Sequence, residues 1–155
     1  MIILFAKTAN VTIDIMIIIG SDHSGFKYKK AITDNLKDLG YEIEDIGTFS
    51  DEGVDYPDIA KEVCDKLKDS DDYGILICGT GIGISIAANR HKHIRAALCT
   101  SSYEARMSKE HNNANVLCLG ERVIGLEAAL DIVNTWLKSE FLPEERHVRR
   151  VGKLK

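Results

Sequence analysis

The sequence has no surplus of positive charge, no membrane-length apolar run, no paired cysteines and almost no proline. Each absence closes a class of function. Lys and Arg number 20 against 24 Asp and Glu, a formal net charge of −4. Broad binding to nucleic acid or to an anionic membrane surface is therefore not expected. No stretch is long and apolar enough to span a bilayer. The four cysteines, Cys64, Cys78, Cys99 and Cys118, stand 14, 21 and 19 residues apart with no CxxC pair. That spacing excludes a zinc ribbon and argues against a disulfide framework. Reduced thiols in a cytoplasmic protein fit it better. With two prolines and no serine-rich or low-complexity tract, no linker is visible, and there are no repeats. No set of His, Asp and Glu has metal-site spacing, so no catalytic metal is expected.

What is present is an ordinary globular composition. The chain has 155 residues, 45% hydrophobic and 28% charged, enough for one domain with one sizeable core. Residues 1–15, "MIILFAKTANVTIDI", are apolar but broken by Lys7 and Asp14. They have neither the basic start nor the cleavage site of a leader. They read as an N-terminal extension before a start at Met16, with an added edge strand as the alternative. Residues 16–155 read as a single domain with a charged C-terminal tail.

Short apolar runs alternate with longer amphipathic ones. The runs are Met16–Gly20, Tyr41–Ile46, Tyr73–Cys78, Ile94–Leu98 and Val116–Leu119, apolar and often β-branched like buried parallel strands. Between them Ile32, Leu36 and Leu39 share a helix face that Gly40 ends. Ile59, Val63 and Leu67 follow Pro57, which suits a first helical turn. Leu126, Leu130, Val133 and Leu137 form the clearest stripe, with Trp136 beside it. The βα alternation predicts a three-layer αβα Rossmann-like sandwich around a five-stranded parallel sheet. Ligands on such sheets bind at the carboxyl ends of the strands.

The segment "ILICGTGIGISIAANR", residues 75–90, puts a thiol at the mouth of a glycine turn. Gly79, Gly81 and Gly83 follow the third strand rather than the first, and no Gly-Lys-Ser/Thr follows them. The strict nucleotide motifs therefore fail. The physics of the turn remains: successive N–H groups and a helix starting near Ile82 make a concave anion site. The anion can be an oxyanion that develops during reaction. Beside that positive field Cys78 is a candidate thiolate, suited to removing a proton from carbon next to a carbonyl. A buried structural cysteine is the other reading, and for Cys64, Cys99 and Cys118 it is the preferred one.

Other residues carry the same double reading. Asp22 and His23 end the first strand, where Asp22 can be a helix cap. His111 ends a helix pattern before "NNAN". Asp55, Tyr56 and Pro57 can be a turn and helix start only, and His91 and His93 read as exposed. Arg146 and Arg150 in "PEERHVRRVGKLK" stand four apart, so on a helix they point the same way. They make either a solvated terminal helix or a two-fork phosphate clamp.

Six segments together, "GSDHSGFKYKK", "GTFSDEGVDYPDIA", "ILICGTGIGISIAANR", "IRAALC", "EHNNANVLCLGERVIG" and "RHVRR", resemble the type B ribose-5-phosphate isomerases, whose superfamily includes the galactose-6-phosphate isomerase subunits. The resemblance runs from about Met16 to the C-terminus. It implies a Rossmann-like fold and interconversion of D-ribose 5-phosphate and D-ribulose 5-phosphate without metal or organic cofactor. It also implies a homodimer, or a dimer of dimers, with each site shared between chains. Cys78 matches the base that acts through a cis-enediolate, and Gly79, Gly81, Ile82 and Gly83 match the loop that holds the enediolate oxygen. His111 matches the ring-opening residue, with Asp22 and Thr80 at the hydroxyls and Tyr56 and Asn112 orienting the sugar. His23, Arg146 and Arg150 match the phosphate contacts, with Arg122 and His147 as additions. Some members lack the cysteine and use a glutamate at the position of Ser85; this chain falls in the cysteine class. The rival readings are an allose- or galactose-6-phosphate isomerase, a non-catalytic sugar-phosphate or nucleotide-binding module, and a redox protein using Cys78, which lacks a resolving cysteine at CxxC spacing.

Overall fold

The computed structural model describes residues 14–154. The expected N-terminal extension lies outside them except for Asp14 and Ile15. Among the described residues one sheet holds β1 (Met16–Ser21), β2 (Glu42–Gly47), β3 (Tyr73–Cys78), β4 (Ala96–Leu98) and β5 (Val116–Gly120). The order is β2-β1-β3-β5-β4 and every pairing is parallel. The helices are α1 (Phe26–Asp38), α2 (Tyr56–Lys66), α3 (Ile82–Ala88), α4 (Ser102–Glu110), α5 (Leu126–Lys138) and α6 (Glu145–Val151). This is the expected α/β sandwich.

Strand side chains alternate between faces, and both faces are apolar, so each faces a core. Ile17, Ile19, Ile75, Ile77, Leu117 and Leu119 pack with Ile32 and Leu36 of α1 and with Val133 and Trp136 of α5. Ile18, Leu76, Cys78, Val116 and Cys118 pack with Val63 and Cys64 of α2 and Ile84 and Ala88 of α3. Cys78 thus faces the α2–α3 layer.

Two details differ from the pattern. β4 begins at Ala96 because Ile94 and Arg95 are taken by a turn: the Ile94 N–H donates to the His91 carbonyl at 3.0 Å, and the Arg95 N–H to Asn115 Oδ1 at 2.7 Å. On α5 the buried face centres on Ala129, Ile132, Val133 and Trp136, whereas Leu126 is 37% exposed. Trp136 is a centre of the packing rather than a flank, because its large ring meets Tyr73 edge-on at 5.2 Å.

Candidate active site

β3 ends in Cys78, 4% exposed, and the chain turns at once. Gly81 is left-handed at φ +76 and caps α3. A side chain there would run into Leu98 Cδ1 and stand 2.9 Å from the Leu119 carbonyl carbon, so only glycine fits. The conformation aims the Gly81 N–H at Cys78 Sγ, 3.1 Å away. A backbone dipole therefore points at the sulfur, which favours negative charge there. Thr80 is exposed and its Oγ1 accepts the Ile82 N–H at 3.3 Å. Ser85, one turn on, donates its hydroxyl to the Ile82 carbonyl at 2.8 Å.

Two side chains from elsewhere flank this turn. The Tyr56 ring fills the space a Gly83 side chain would need, with its hydroxyl oxygen 2.9 Å from the Cβ position. The Arg122 main-chain N–H donates to the Gly79 carbonyl at 2.9 Å. Its guanidinium Nη1 lies 3.4 Å from the Cβ position of Gly79.

The neighbouring end of β1 adds Asp22 and His23. The chain leaves β1 toward β2 on one side and leaves β3 toward β4 on the other, so this is the sheet's topological switch point. Asp22 is 6% exposed and its Oδ1 accepts the Ser24 N–H at 2.9 Å. It does not cap α1, as one reading had it; Gly25 is the N-cap residue. The first-turn N–H of Tyr28 is taken instead by Glu121 Oε2 at 3.0 Å, from beyond β5. The His23 Nδ1 accepts the Val54 N–H at 3.3 Å. In the neutral ring the proton then sits on Nε2, leaving that nitrogen as a donor.

The other expected residues lie at the opposite end of the sheet. α4 starts at the carboxyl end of β4 and runs back, so His111, its C-cap, and Asn112 arrive before the amino end of β5. The five residues of β5, at roughly 3.3 Å each, separate the two levels. His111 stacks on His147 of α6, centroids 4.4 Å apart and planes at 13°. His147 is 3% exposed; burial, then His111 and Arg146, push its pKa down. Arg146 and Arg150 are exposed on α6, and Arg146 Nε donates to Glu144 Oε2 at 2.8 Å. Asn112 lines a cleft of about 630 Å³ with Arg90, Lys92, Arg95 and Lys153 among its walls. One chain therefore gathers Asp22, His23, Tyr56, Cys78, Gly79, Thr80, Gly81, Ile82, Gly83 and Arg122 at one end. It gathers His111, Asn112, Arg146, His147 and Arg150 at the other.

The remaining cysteines are buried, and burial pushes the thiols of Cys64 up to about 12 and Cys99 up to about 11, with Cys118 also raised. His91 and His93 are half-buried rather than exposed. His93 Nε2 lies 2.7 Å from the Cys64 carbonyl, tying the β4 approach to α2. The sequence reading missed an ion pair near the site: Lys29 Nζ donates to both Asp45 oxygens at 2.5 and 2.6 Å. Asp45 also accepts the Gly47 N–H at 3.0 Å, and the Phe49 ring lies 4.4 Å from the ammonium. Alternation alone marks Asp45 as an outward polar residue, so no local signal pairs it with Lys29.

A doubly wound parallel sheet with a thiol-led glycine turn at its switch point defines a Rossmann-like α/β protein with a ligand site at the carboxyl ends of its strands. The Ribose/Galactose Isomerase family profile matches residues 17–154. Ribose-5-phosphate isomerase B of Escherichia coli is 47% identical over 133 residues, covering 85% of this chain and 89% of its own. The structure of ribose-5-phosphate isomerase B from Clostridium thermocellum superposes with a TM-score of 0.88 at 58% identity, covering 90% of this chain and 95% of that one. The Mycoplasma genitalium enzyme, solved with bound ribulose-5-phosphate, gives 0.87 at 44%, covering 91% and 94%. The chain belongs to the Ribose/Galactose Isomerase family, and it is an isomerase.

Proposed function

We propose that the protein interconverts D-ribose 5-phosphate and D-ribulose 5-phosphate, with Cys78 as the base. The observation that carries this reading is the Gly81 N–H directed at Cys78 Sγ, at the start of a turn able to hold a developing oxyanion. The thiolate takes the proton from C2 of the open aldose. The enediolate oxygen is held by N–H groups of Gly79 to Gly83; the proton of the C2 hydroxyl passes to O1, and the carbon proton returns to C1, leaving the carbonyl at C2. Tyr56, packed on Gly83, orients the sugar. Asp22 and Thr80 bind hydroxyls. The His23 Nε2 donor and the Arg122 guanidinium take phosphate oxygens.

The substrate is mainly a closed furanose, so a further group must exchange protons with the ring oxygen and the anomeric hydroxyl. His111 has this role, with Asn112 beside it and Arg146, His147 and Arg150 completing the phosphate site. In one chain these lie at the far end of the sheet. The reaction therefore uses a homodimer in which one chain supplies the thiol and its partner supplies the imidazole. Ile82 and Ile86 of α3, 54% and 52% exposed beside the glycine turn, supply an apolar face for that contact.

Kinetics on purified protein with five- and six-carbon aldose phosphates test the substrate, and ribose 5-phosphate is expected to be preferred over allose and galactose 6-phosphates. Cys78→Ala should bind ribose 5-phosphate without turning it over. Mixing inactive Cys78→Ala with inactive His111→Gln should restore about a quarter of the sites, one in each mixed dimer. If the mixture stays dead while the mixed dimer forms, the two groups come from the same chain. If Cys78→Ala turns over normally, the thiol is not the base.

A further inference from the structure

The last turn of α4 holds a buried cation that the reaction above leaves unused. Lys109 is 2% exposed. Its Nζ lies 3.1 Å from the Tyr73 ring centroid and 4.2 Å from that of Trp136. Among the described residues no carboxylate pairs with it. Burial, and after it the like charge of Arg95, brings the amine down to about 7. A basic residue in a last helical turn ordinarily points to water and complements the helix dipole. Here the ammonium is withdrawn from water and held by two aromatic faces, the setting in which cation–π attraction is strongest.

What hangs from this residue is the loop that carries His111. The Asn113 N–H donates to the Lys109 carbonyl at 3.1 Å and the Ala114 N–H to the Ser108 carbonyl at 2.9 Å. Asn113 is left-handed at φ +50, which folds the turn back under the helix end. The turn bearing His111 and Asn112 is thus anchored at the residue whose side chain is clamped between β3 and α5.

We propose that Lys109 is a positioning residue for His111: its ammonium, clamped between Tyr73 and Trp136, fixes the end of α4 and so the imidazole two residues on. The proposal rests on the ring-opening role of His111. Opening the ring and moving the proton between carbons are separable, because ribulose 5-phosphate is open-chain and exchanges its C1 hydrogen with solvent through the enediolate alone.

Lys109→Met keeps the length and removes the charge, and Lys109→Arg keeps the charge. At about pH 6, a unit below the value at which the amine loses its proton, two rates are compared for each variant. One is turnover of ribose 5-phosphate; the other is entry of solvent deuterium into ribulose 5-phosphate. Lys109→Met should lose turnover by on the order of 10- to 100-fold, with KM little changed and exchange retained. Lys109→Arg should recover most of the turnover. Wild-type turnover in Lys109→Met, or equal loss of exchange and turnover, overturns the proposal. If Lys109→Met does not fold, Tyr73→Leu removes one face of the clamp and carries the same readout. His111→Gln separates the two ideas. If it fails to raise exchange over turnover, the role of His111 falls. If it does and Lys109→Met does not, only the role of Lys109 falls.

Discussion

Three glycines separate two costs that usually come together. Gly40 is left-handed at φ +90 with nothing within 4 Å of a Cβ; Gly81 is left-handed at φ +76 and closely packed; Gly53 has open space and no positive φ. Alanine at position 40 meets only the left-handed strain, about 1–2 kcal/mol. Alanine at 81 meets the same strain and must also displace Leu98 and the Leu119 backbone, adding about 1–3 kcal/mol of overpacking. Alanine at 53 should be neutral or stabilising by up to about 1 kcal/mol, because it restricts the unfolded chain. At about 2–4 °C per kcal/mol for a chain of this size, Gly81→Ala should melt roughly 10 °C below wild type, Gly40→Ala a few degrees below, and Gly53→Ala at or above it. Thermal unfolding followed by circular dichroism reads all three. Gly81→Ala should also lose turnover by on the order of 100-fold or more, because the amide leaves the sulfur. If Gly81→Ala melts with Gly40→Ala, the packing around the turn is looser than the distances require and the assignment of this glycine to Leu98 and Leu119 is wrong.

At pH 8, iodoacetamide should modify Cys78 alone in the native protein, since burial holds the thiols of Cys64 and Cys99 near 12 and 11 and the thiolate is the nucleophile; peptide mapping that finds Cys64, Cys99 or Cys118 labelled as fast would refute this. Asp45→Asn leaves the Lys29 ammonium buried without its anion and should cost about 3–5 kcal/mol, most of which returns in the Lys29→Met/Asp45→Asn double variant. A urea-denaturation cycle with no coupling between the two would remove the ion pair from the account. Folded Lys109 releases its proton near 7, while the unfolded chain holds it to about 10.5. Unfolding between those values takes up a proton, so stability rises with pH across that window. Lys109→Met should lack the rise; an unchanged slope in urea titrations would show that the amine titrates normally.

Much of the fold was legible because its cause is local. Runs such as Ile17–Ile19 and Ile75–Ile77 are apolar on both faces, and only a strand with a helix layer on either side buries both. The thiol at the head of the glycine turn was legible for the same reason: strand end, turn and helix start are consecutive in sequence. The strand order was not, because nothing local sets β5 rather than β4 beside β3. Nor was the division of the candidate site. His111 and Cys78 are both loop-flanking residues, and only the direction of α4 puts them at opposite ends of the strands. Glu121 at the start of α1 and Lys109 between Tyr73 and Trp136 were invisible because their partners are distant in sequence. In each case a charged side chain that reads as solvated is held by another element.

β3 is hydrogen-bonded along both edges, to β1 and β5, and both of its faces are covered. The sulfur is therefore mounted on the part of the molecule that should exchange its amide hydrogens last. On warming, the thiol end of the site should survive until the sheet itself comes apart. Inactivation that sets in below the global transition would then begin at the histidine end, where α4 and α6 meet near the surface.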